Sequence, residues 1–330
     1  MKIAVLGAGA WGSALAINLS SRHAINLWSK DLSHAADLQR RRINHNFLPG
    51  HALPQAIKIT SSLTEALYES DLALIVVPIA GLRETLEALE QRKIRVPIIL
   101  GCKGFEAHTC YLPHQVVEEV YATQSISCGA LSGPSFAEEV AKGLPTALTL
   151  ASKDIALASM VASELHSSRL RIYTSQDVAG VETGGAVKNV ITIAAGISDG
   201  LGFGHNARAA LITRGLMEIT RLGIGLGGDA KTFMGLAGVG DLILTSTGDL
   251  SRNRQVGLML AQGKSLQEIL SALGHVAEGV HTAQSVLRLG VKLDIEMPIT
   301  QAVCGILDGS VSARTAVEVL LNREQKTEIY

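Results

Sequence analysis

Short apolar runs alternate with segments of helical periodicity over the first part of the chain, up to about residue 175. This alternation is typical of a parallel sheet that is covered by helices on both faces. Helical spacing is clearest at Leu82–Leu89 and Ile155–Leu165. The apolar runs predict eight strands: Ile3–Leu6, Ala24–Trp28, Ile57–Thr60, Leu72–Val77, Pro97–Leu100, Ile126–Leu131, Thr146–Leu150 and Leu170–Tyr173.

The pattern changes after about residue 176, where helical periods punctuated by glycine replace nearly all of the apolar strands. A chain of 330 residues is long enough for two domains. We therefore expect an α/β, doubly wound sheet over residues 1–178 and an all-helical C-terminal domain over residues 179–330. The boundary should fall in or just before a helix that carries Val181–Ala195, so that the two domains are tightly joined.

The first predicted strand runs directly into three glycines with the spacing G-x-G-x-x-G. In a strand-to-helix turn, Gly7 would allow the tight turn, Gly9 the close approach of a pyrophosphate, and Gly12 the close packing of the helix on the strand. The N-terminus of that helix would favour phosphate charge. The motif predicts a dinucleotide-binding, Rossmann-type domain.

Two other interpretations of this stretch are a glycine-rich turn of an unrelated α/β protein and a secretory signal peptide. The next strand, Ala24–Trp28, follows at the distance that a βαβ unit requires, which favours the dinucleotide motif. A signal peptide does not need three glycines in this register, and no clear cleavage site follows.

Composition narrows the remaining function classes. Apolar residues make up 47% of the chain and aromatic residues only 4%, with 33 glycines, so we expect an aliphatic core with many close backbone contacts. The net charge is −1 without a long basic block, which argues against a nucleic-acid partner. The four cysteines have neither disulfide nor metal-site spacing, and no apolar stretch is long enough to span a membrane. We expect a cytoplasmic protein with reduced thiols and no metal.

Lys188 lies in a predicted helix whose other residues are almost all apolar or small. Gly184 and Gly185, on the turn before it, would let another backbone approach closely. A buried lysine has a lowered pKa and can exchange protons near neutral pH. The alternative is a lysine at the edge of the helix whose ammonium reaches water.

A second group of polar residues follows in the helical part. Asp241 directly follows Gly238-Val239-Gly240, and Ser251, Arg252 and Asn253 come a few residues later. The guanidinium of Arg252 could hold a phosphate, with hydrogen bonds from its two neighbours. The alternatives are a helix cap at Asp241 and a surface turn at Ser251–Asn253.

Two loops of the first domain follow predicted strands and should lie at the ligand-binding edge of the sheet. One contains Lys103, which could otherwise be a solvated loop lysine. The other contains Ser135, and Ser135 with Glu138 also fits a capping box, which would make that serine purely structural.

These motifs occur in the order seen in bacterial NAD(P)-dependent glycerol-3-phosphate dehydrogenases, which the chain resembles over nearly its whole length. The resemblance implies a Rossmann domain and a helical domain with the active site in the cleft between them. The motifs are residues 7–16 (GAGAWGSALA), Lys103-Gly104, residues 132–137 (SGPSFA), residues 184–190 (GGAVKNV), residues 238–242 (GVGDL) and residues 251–253 (SRN).

The resemblance also implies roles for individual residues. Lys188 matches the catalytic lysine, with Asp241 orienting it or balancing its charge. The substrate-contacting positions are Lys103, Gly133, Ser135, Lys188, Asp241, Ser251, Arg252 and Asn253. The cofactor-contacting positions, besides Gly7, Gly9 and Gly12, are Ala10, Trp11, Lys30, Lys103, Ala137, Arg252, Val276 and Glu278. Ala10 replaces a serine often found in the family, and Val276 could contact a cofactor only through its backbone or by packing.

The implied activity is reversible hydride transfer between NADPH or NADH and dihydroxyacetone phosphate, which gives sn-glycerol 3-phosphate for glycerophospholipid synthesis. We also expect a homodimer. Two rival interpretations are another dehydrogenase with a Rossmann and a helical domain, acting on a sugar acid or nucleotide sugar, and a nonenzymatic dinucleotide sensor. The phosphate cluster Ser251–Asn253 argues against the first, and Lys188 with Asp241 argues against the second, because sensing needs no proton donor.

The end of the second predicted strand bears on cofactor choice. An acidic residue there usually binds the ribose hydroxyls of NAD and repels a 2′-phosphate. Here Ser29 and Lys30 occupy the ribose-facing turn, and Asp31 could cap the next helix. We therefore expect NADPH to be used at least as well as NADH, whereas a shift of the turn by one residue would bring Asp31 to the ribose and reverse this preference.

Overall fold

The computed structural model describes residues 1–124, 126–273 and 277–324. Eight strands form one sheet in the order β10-β9-β8-β7-β6-β1-β2-β5, and two more form a separate hairpin, β3-β4. The strands are β1 Lys2–Leu6, β2 Ala24–Trp28, β3 Ile43–Asn44, β4 Leu48–Ala52, β5 Lys58–Thr60, β6 Leu72–Ile75, β7 Ile98–Leu100, β8 Cys128–Ser132, β9 Thr146–Ala151 and β10 Leu170–Ser175.

Within the described residues, seven α-helices lie between the strands, and nine α-helices follow the last strand. The first group is α1 Ala10–Leu19, α2 Leu32–Arg41, α3 Leu63–Leu67, α4 Leu82–Gln91, α5 Pro113–Val120, α6 Ala137–Ala141 and α7 Ile155–Leu165. The second group is α8 Val178–Gly200, α9 Gly204–Gly225, α10 Ala230–Phe233, α11 Asp241–Thr247, α12 Arg252–Ala261, α13 Leu266–Leu273, α14 Glu278–Lys292, α15 Pro298–Leu307 and α16 Ala313–Leu321. A π-helical turn, Leu236–Gly240, precedes α11.

All eight predicted strands are present, with ends that differ by at most two residues from the predicted ones. The expectation of a wholly parallel sheet is wrong at one place, because β9 runs antiparallel to β8. Strand β10 pairs in parallel with β9, so these two strands run opposite to the other six. The reason is that α6 packs on α1 and does not cross the sheet. The chain therefore enters β9 at the same end of the sheet at which it left β8, which makes the two strands antiparallel.

Helices cover both faces of the sheet, as the alternating pattern predicts. Ile3 and Val5 of β1 pack in one apolar cluster with residues of α1, α2 and α7. Ala4 and Leu6 of the same strand pack in a second cluster with residues of α3, α4 and α5. The carboxyl ends of β1, β2, β6, β7 and β8 therefore meet at one edge, between the two helical layers.

The helical part is built around α8, which is buried along nearly its whole length. Helix α12 crosses it with backbone against backbone: a Cβ at Gly257 would lie 2.1 Å from the carbonyl oxygen of Ile193, and one at Gly196 would lie 2.2 Å from that of Arg254. This crossing fixes the first turn of α12 beside α8. None of the helices in the described ranges has the length and apolar character needed to cross a bilayer.

A Gly257→Ala substitution should lower the free energy of unfolding by about 3 kcal/mol, because the added methyl group must force the two helices apart. Gly305→Ala on α15 is the matched control, since its Cβ would meet its nearest neighbour, Ser310 Oγ, at an ordinary 3.4 Å. Chemical denaturation of both variants measures the difference. Equal stability of the two variants would mean that α8 and α12 are not in backbone contact.

Candidate active site

The glycine-rich turn joins β1 to α1 with the geometry that the motif predicts. Gly7 has φ +122°, and a Cβ there would lie 2.9 Å from the backbone of Val76 and Val77. At Gly12 a Cβ would lie 1.8 Å from the carbonyl oxygen of Gly7, whereas a Cβ at Gly9 would have no atom within 4 Å. Packing therefore requires glycine at Gly7 and Gly12, and Gly9 leaves open space at the N-terminus of α1. This open helix N-terminus fits a dinucleotide pyrophosphate.

Other predicted cofactor residues surround this turn. Ala10 is the first residue of α1, and Trp11 follows it. Trp11 and Ala137, the first residue of α6, pack against the same small apolar cluster. The structure thus brings Ala10, Trp11 and Ala137 together, although the last is far away in sequence.

Lys30 and Asp31 follow β2 and have different surroundings. The carboxylate of Asp31 accepts hydrogen bonds from the backbone N–H groups of Ser33 and His34, which confirms the predicted cap of α2. The ammonium of Lys30 is exposed and lies 2.6 Å from each carboxylate oxygen of Glu84 on α4. The carboxylate of Asp31 is therefore engaged at the N-terminus of α2, as predicted for the arrangement in which Lys30 faces the ribose.

Lys188 lies on α8 at the centre of a buried polar cluster. Its ammonium donates to Asp241 Oδ1 at 2.6 Å and to Thr245 Oγ1 at 2.7 Å. Lys103, on the loop after β7, donates to the other oxygen of Asp241 at 2.6 Å. One carboxylate thus joins the loop after β7 to α8 and α11.

This arrangement decides between the alternatives left open by the sequence. Lys188 is only 5% exposed and does not reach water at the edge of the helix. Asp241 is the first residue of α11, and its carboxylate bonds to the two lysines. The predicted close approach of another backbone is confirmed at Gly184, where a Cβ would lie 2.5 Å from Ala237 O. At Gly185 the nearest neighbour is a side-chain atom instead, Ser132 Oγ at 2.7 Å from a Cβ.

Burial shifts the pKa values of these groups in ways that suit proton transfer. Burial lowers the pKa of Lys188 to about 8, since the attraction of Asp241 only partly opposes it and the charge of Lys103 adds to it. Burial alone would raise the pKa of Asp241, but the charges of Lys103 and Lys188 hold it below its usual value. Asp241 is therefore a carboxylate at neutral pH, and the ammonium and amine forms of Lys188 are both accessible.

The segment Ser251–Asn253 forms the start of α12, so its interpretation as a surface turn is wrong. Ser251 Oγ caps the helix by accepting from the N–H of Arg254. The amide nitrogen of Asn253 donates to Asn189 Oδ1 on α8, and its oxygen accepts from the N–H of Gly279 on α14. Arg252 is exposed, and its guanidinium has no hydrogen bond to any part of the chain that the structure describes.

Glu278 is the first residue of α14, and the charged side chains of the cluster are close enough to shift its pKa. Burial raises the pKa of Glu278, and the positive charges of Arg252, Lys103 and Lys188 oppose that rise. These four charged side chains therefore belong to one electrostatic site. Val276, which was also predicted to contact the cofactor, lies outside the described residues.

The loop after β8 places Gly133 and Ser135 at the ligand edge of the sheet. Gly133 has φ +138°, and a Cβ there would lie 3.2 Å from Ala147 O, so glycine is required. Ser135 Oγ donates to the carbonyl oxygen of Gly133 at 3.1 Å. The alternative of a capping box is wrong, because α6 begins one residue too late: Phe136, without a side-chain cap, precedes it.

Comparison with known proteins identifies the family. Profiles described as the N-terminus and C-terminus of NAD-dependent glycerol-3-phosphate dehydrogenase match residues 2–158 and 177–318. A protein of Nitrosospira multiformis named glycerol-3-phosphate dehydrogenase [NAD(P)+] is 61% identical over 334 residues, which cover 100% of both chains. The chain belongs to this family.

Solved structures of glycerol-3-phosphate dehydrogenases share the whole fold. The crystal structure of the protein from Coxiella burnetii matches with a TM-score of 0.94 and 41% identity, over 98% of this chain and 99% of that one. The protein from Saccharomyces cerevisiae matches with a TM-score of 0.81 and 26% identity, over 97% and 99% of the two chains. Family membership favours the phosphorylated-substrate dehydrogenase over both rival interpretations.

The structure places three further polar residues beside the predicted site residues of this chain. Thr245 bonds to Lys188, and Asn189 bonds to Asn253. Thr245 lies four residues after Asp241, on the same face of a helix, which is a spacing the sequence could have revealed. Asn189 directly follows Lys188 but carries no such pattern.

The third of these residues, Asn44, forms hydrogen bonds to the glycine-rich turn and to the first turn of α1. It is 1% exposed, and its amide donates to Ala8 O at 2.9 Å and to Ser13 Oγ at 2.8 Å. Its oxygen accepts from the N–H of Phe47. Asn44 is buried by the hairpin β3-β4, which the hydrophobic pattern does not predict, so the sequence gives no indication of this role.

Proposed function

We propose that this chain catalyses the reversible reduction of dihydroxyacetone phosphate to sn-glycerol 3-phosphate with NADPH or NADH, a product that supplies glycerophospholipid synthesis. The buried Lys188 carries the proposal, because its ammonium bonds to a carboxylate that is itself held by Lys103. A titratable proton donor, several fixed positive charges and an open glycine-rich turn suit the reduction of an anionic ketone. The family named above supports the same activity.

In this proposal each half of the chain has one task. Residues 1–178 bind the dinucleotide, and residues 179–330 bind the substrate and supply the proton donor. The ion pair between Lys103 and Asp241 supports an active site at the junction, since it joins the sheet to the helical part at 2.6 Å.

The open turn at Gly9 would hold the pyrophosphate, with Gly7, Gly12, Ala10 and Trp11 around it. We assign the remaining cofactor contacts to Lys30, Lys103, Ala137, Arg252, Val276 and Glu278. When bound, the reduced nicotinamide supplies the hydride that adds to C2 of the substrate. Burial of the charged cluster excludes water from that end of the site.

Lys188 gives its proton to the carbonyl oxygen during reduction and accepts the proton of the C2 hydroxyl during oxidation. Two of its three N–H groups bond to Asp241 and Thr245, and the third has no acceptor within the described chain. Asp241 and Thr245 thereby fix the direction of the free N–H. The lowered pKa of Lys188 makes the proton easier to release.

The substrate phosphate is assigned to the N-terminus of α12. Arg252, the first residue of that helix, offers a charged fork of N–H donors, and a helix N-terminus favours a bound anion. Ser251 and Asn253 define this helix start, and Lys103 with the loop of Gly133 and Ser135 would close the other side.

The direct test is oxidation of NADPH by the pure protein after dihydroxyacetone phosphate is added, measured as loss of NADPH absorbance. Turnover with this substrate and none with a sugar acid or a nucleotide sugar supports the proposal. Absence of turnover with dihydroxyacetone phosphate alongside activity on either rival substrate would overturn it. The homodimer and the cytoplasmic location stay predictions from the sequence.

Lys188→Ala should reduce kcat for dihydroxyacetone phosphate by about 10²–10⁴-fold, because it removes the proton donor. The dissociation constant for NADPH, measured by calorimetry, should stay within about twofold of the wild-type value. A kcat within a few-fold of wild type would exclude Lys188 as the donor.

The pH dependence should follow the pKa of about 8 at Lys188. Reduction needs the ammonium, so kcat/KM for dihydroxyacetone phosphate should be level just below pH 8 and fall about tenfold per pH unit above it. Oxidation needs the free amine, so kcat/KM for glycerol 3-phosphate should rise up to that pH and then level. Steady-state rates measured across this range in both directions provide the check, and parallel profiles would contradict it.

Arg252→Ala should raise KM for dihydroxyacetone phosphate by about tenfold or more, because charge-assisted hydrogen bonds to the phosphate are lost. Dihydroxyacetone, which lacks the phosphate, is the control substrate, and its kcat/KM should change little when both substrates are measured at saturating NADPH, so that a lost cofactor contact of Arg252 does not enter. An equal loss with both substrates would show that Arg252 does not bind the phosphate.

A further inference from the structure

A cavity of about 300 Å³ lies at the carboxyl edge of the sheet, between the turn after β2, the start of α3 and helix α4. Lys30, Glu84 and Arg92 are among the residues that line it. In a doubly wound sheet the turn after the second strand lies beside the adenosine ribose. The cavity is therefore on the adenosine side of the glycine-rich turn, away from the buried lysine cluster.

Lys30 and Glu84 form an ion pair across this cavity. The ammonium is 2.6 Å from both carboxylate oxygens, and the two side chains are 68% and 66% exposed. Lys30 follows β2, whereas Glu84 lies on α4, which follows β6, and these two strands flank β1. The pair thus connects elements on either side of the central strand.

This geometry has opposite consequences for the two cofactors. The 2′-phosphate of NADPH needs the positive charge of Lys30, which Glu84 already neutralises, and it would also meet the negative charge of Glu84. NADH has no group that competes for Lys30, so the ion pair can persist when NADH binds. An exposed ion pair is weak, so a phosphate can displace the carboxylate at some loss of affinity.

We propose that Glu84 limits the preference for NADPH over NADH by competing with the 2′-phosphate for Lys30. This inference rests on the proposed function for the identity of the cofactor. Glu84 is then a specificity-determining residue that lies outside the family motifs quoted above. Arg92, whose guanidinium donates to Ala88 O of its own helix, supplies a second positive charge to the same cavity.

The test compares Glu84→Gln with Glu87→Gln, an exposed residue one turn further along α4 that undergoes the same change in charge. Dissociation constants of NADPH and NADH are measured by calorimetry, together with kcat/KM for each cofactor with dihydroxyacetone phosphate. Glu84→Gln should tighten NADPH binding about three- to tenfold and leave NADH within twofold. Glu87→Gln should change neither by more than twofold.

A second comparison places Glu84→Gln in a Lys30→Ala background. The gain for NADPH should vanish there, because the lysine for which the two anions compete is absent. The gain in the wild-type background should also shrink at high salt. An equal gain for both cofactors, a gain that persists without Lys30, or no difference between Glu84→Gln and Glu87→Gln would overturn the proposal.

The two measurements separate this inference from the proposed function. Calorimetry reports the competition at Lys30 even if dihydroxyacetone phosphate is not a substrate. Conversely, turnover with NADH is a test of the proposed function that does not depend on Glu84. Failure of one can therefore be told from failure of the other.

Discussion

The carboxylate of Asp241, shared by two lysines, is the interaction on which the site depends. Each buried charge in this cluster would be costly alone, and removing one partner of a buried ion pair typically costs about 3–5 kcal/mol. Lys103 comes from the loop after β7 of the sheet domain, and Lys188 and Asp241 come from the helices. The same contact therefore joins the two halves of the chain and positions Lys188, the proposed proton donor.

Charge balance in the cluster also explains its chemistry. Two ammonium groups share one carboxylate, which leaves a net positive charge in a buried place and favours an anionic ligand. That excess charge, with burial, lowers the pKa of Lys188 to about 8. A lysine paired only with Asp241 would hold its proton more tightly, so the second lysine contributes to reactivity as well as to binding.

Such a cluster can form only if helix α8 comes very close to its neighbours. At Gly184 it meets the carbonyl of Ala237, and at Gly196 it meets the backbone of α12. A Cβ at these positions would lie 2.5 Å and 2.2 Å from the carbonyl oxygens of Ala237 and Arg254, so a side chain would push the elements apart and disturb the hydrogen bonds between them. Glycines at these positions of α8 are thus a requirement of the site, because its residues are brought together by close backbone contact.

The sequence predicts the features of the fold and site that depend on interactions between residues close together in the chain. Strand and helix periodicity gave the sheet and its coverage, and the apolar surroundings of Lys188 predicted its burial. The contact of Lys103 with Asp241 spans 138 residues and has no local pattern. The antiparallel direction of β9 depends on where α6 packs, and the contact of Asn44 with the glycine-rich turn depends on where a short hairpin packs. The predicted capping box at Ser135 is wrong because helix α6 begins one residue too late.

The two ends of the site differ in how their charges are held, and this difference has a functional meaning. Around Lys188 the ion pairs are buried, so solvent and salt screen them little and the geometry of the proposed proton transfer is fixed. Near the turn after β2, the side chains of Lys30 and Glu84 are two-thirds exposed, so their attraction is weak and another anion can take the place of the Glu84 carboxylate. In the proposed function, the buried charges fix the chemistry, and the choice of cofactor is left to an exposed pair that substitutions can alter without disturbing the core.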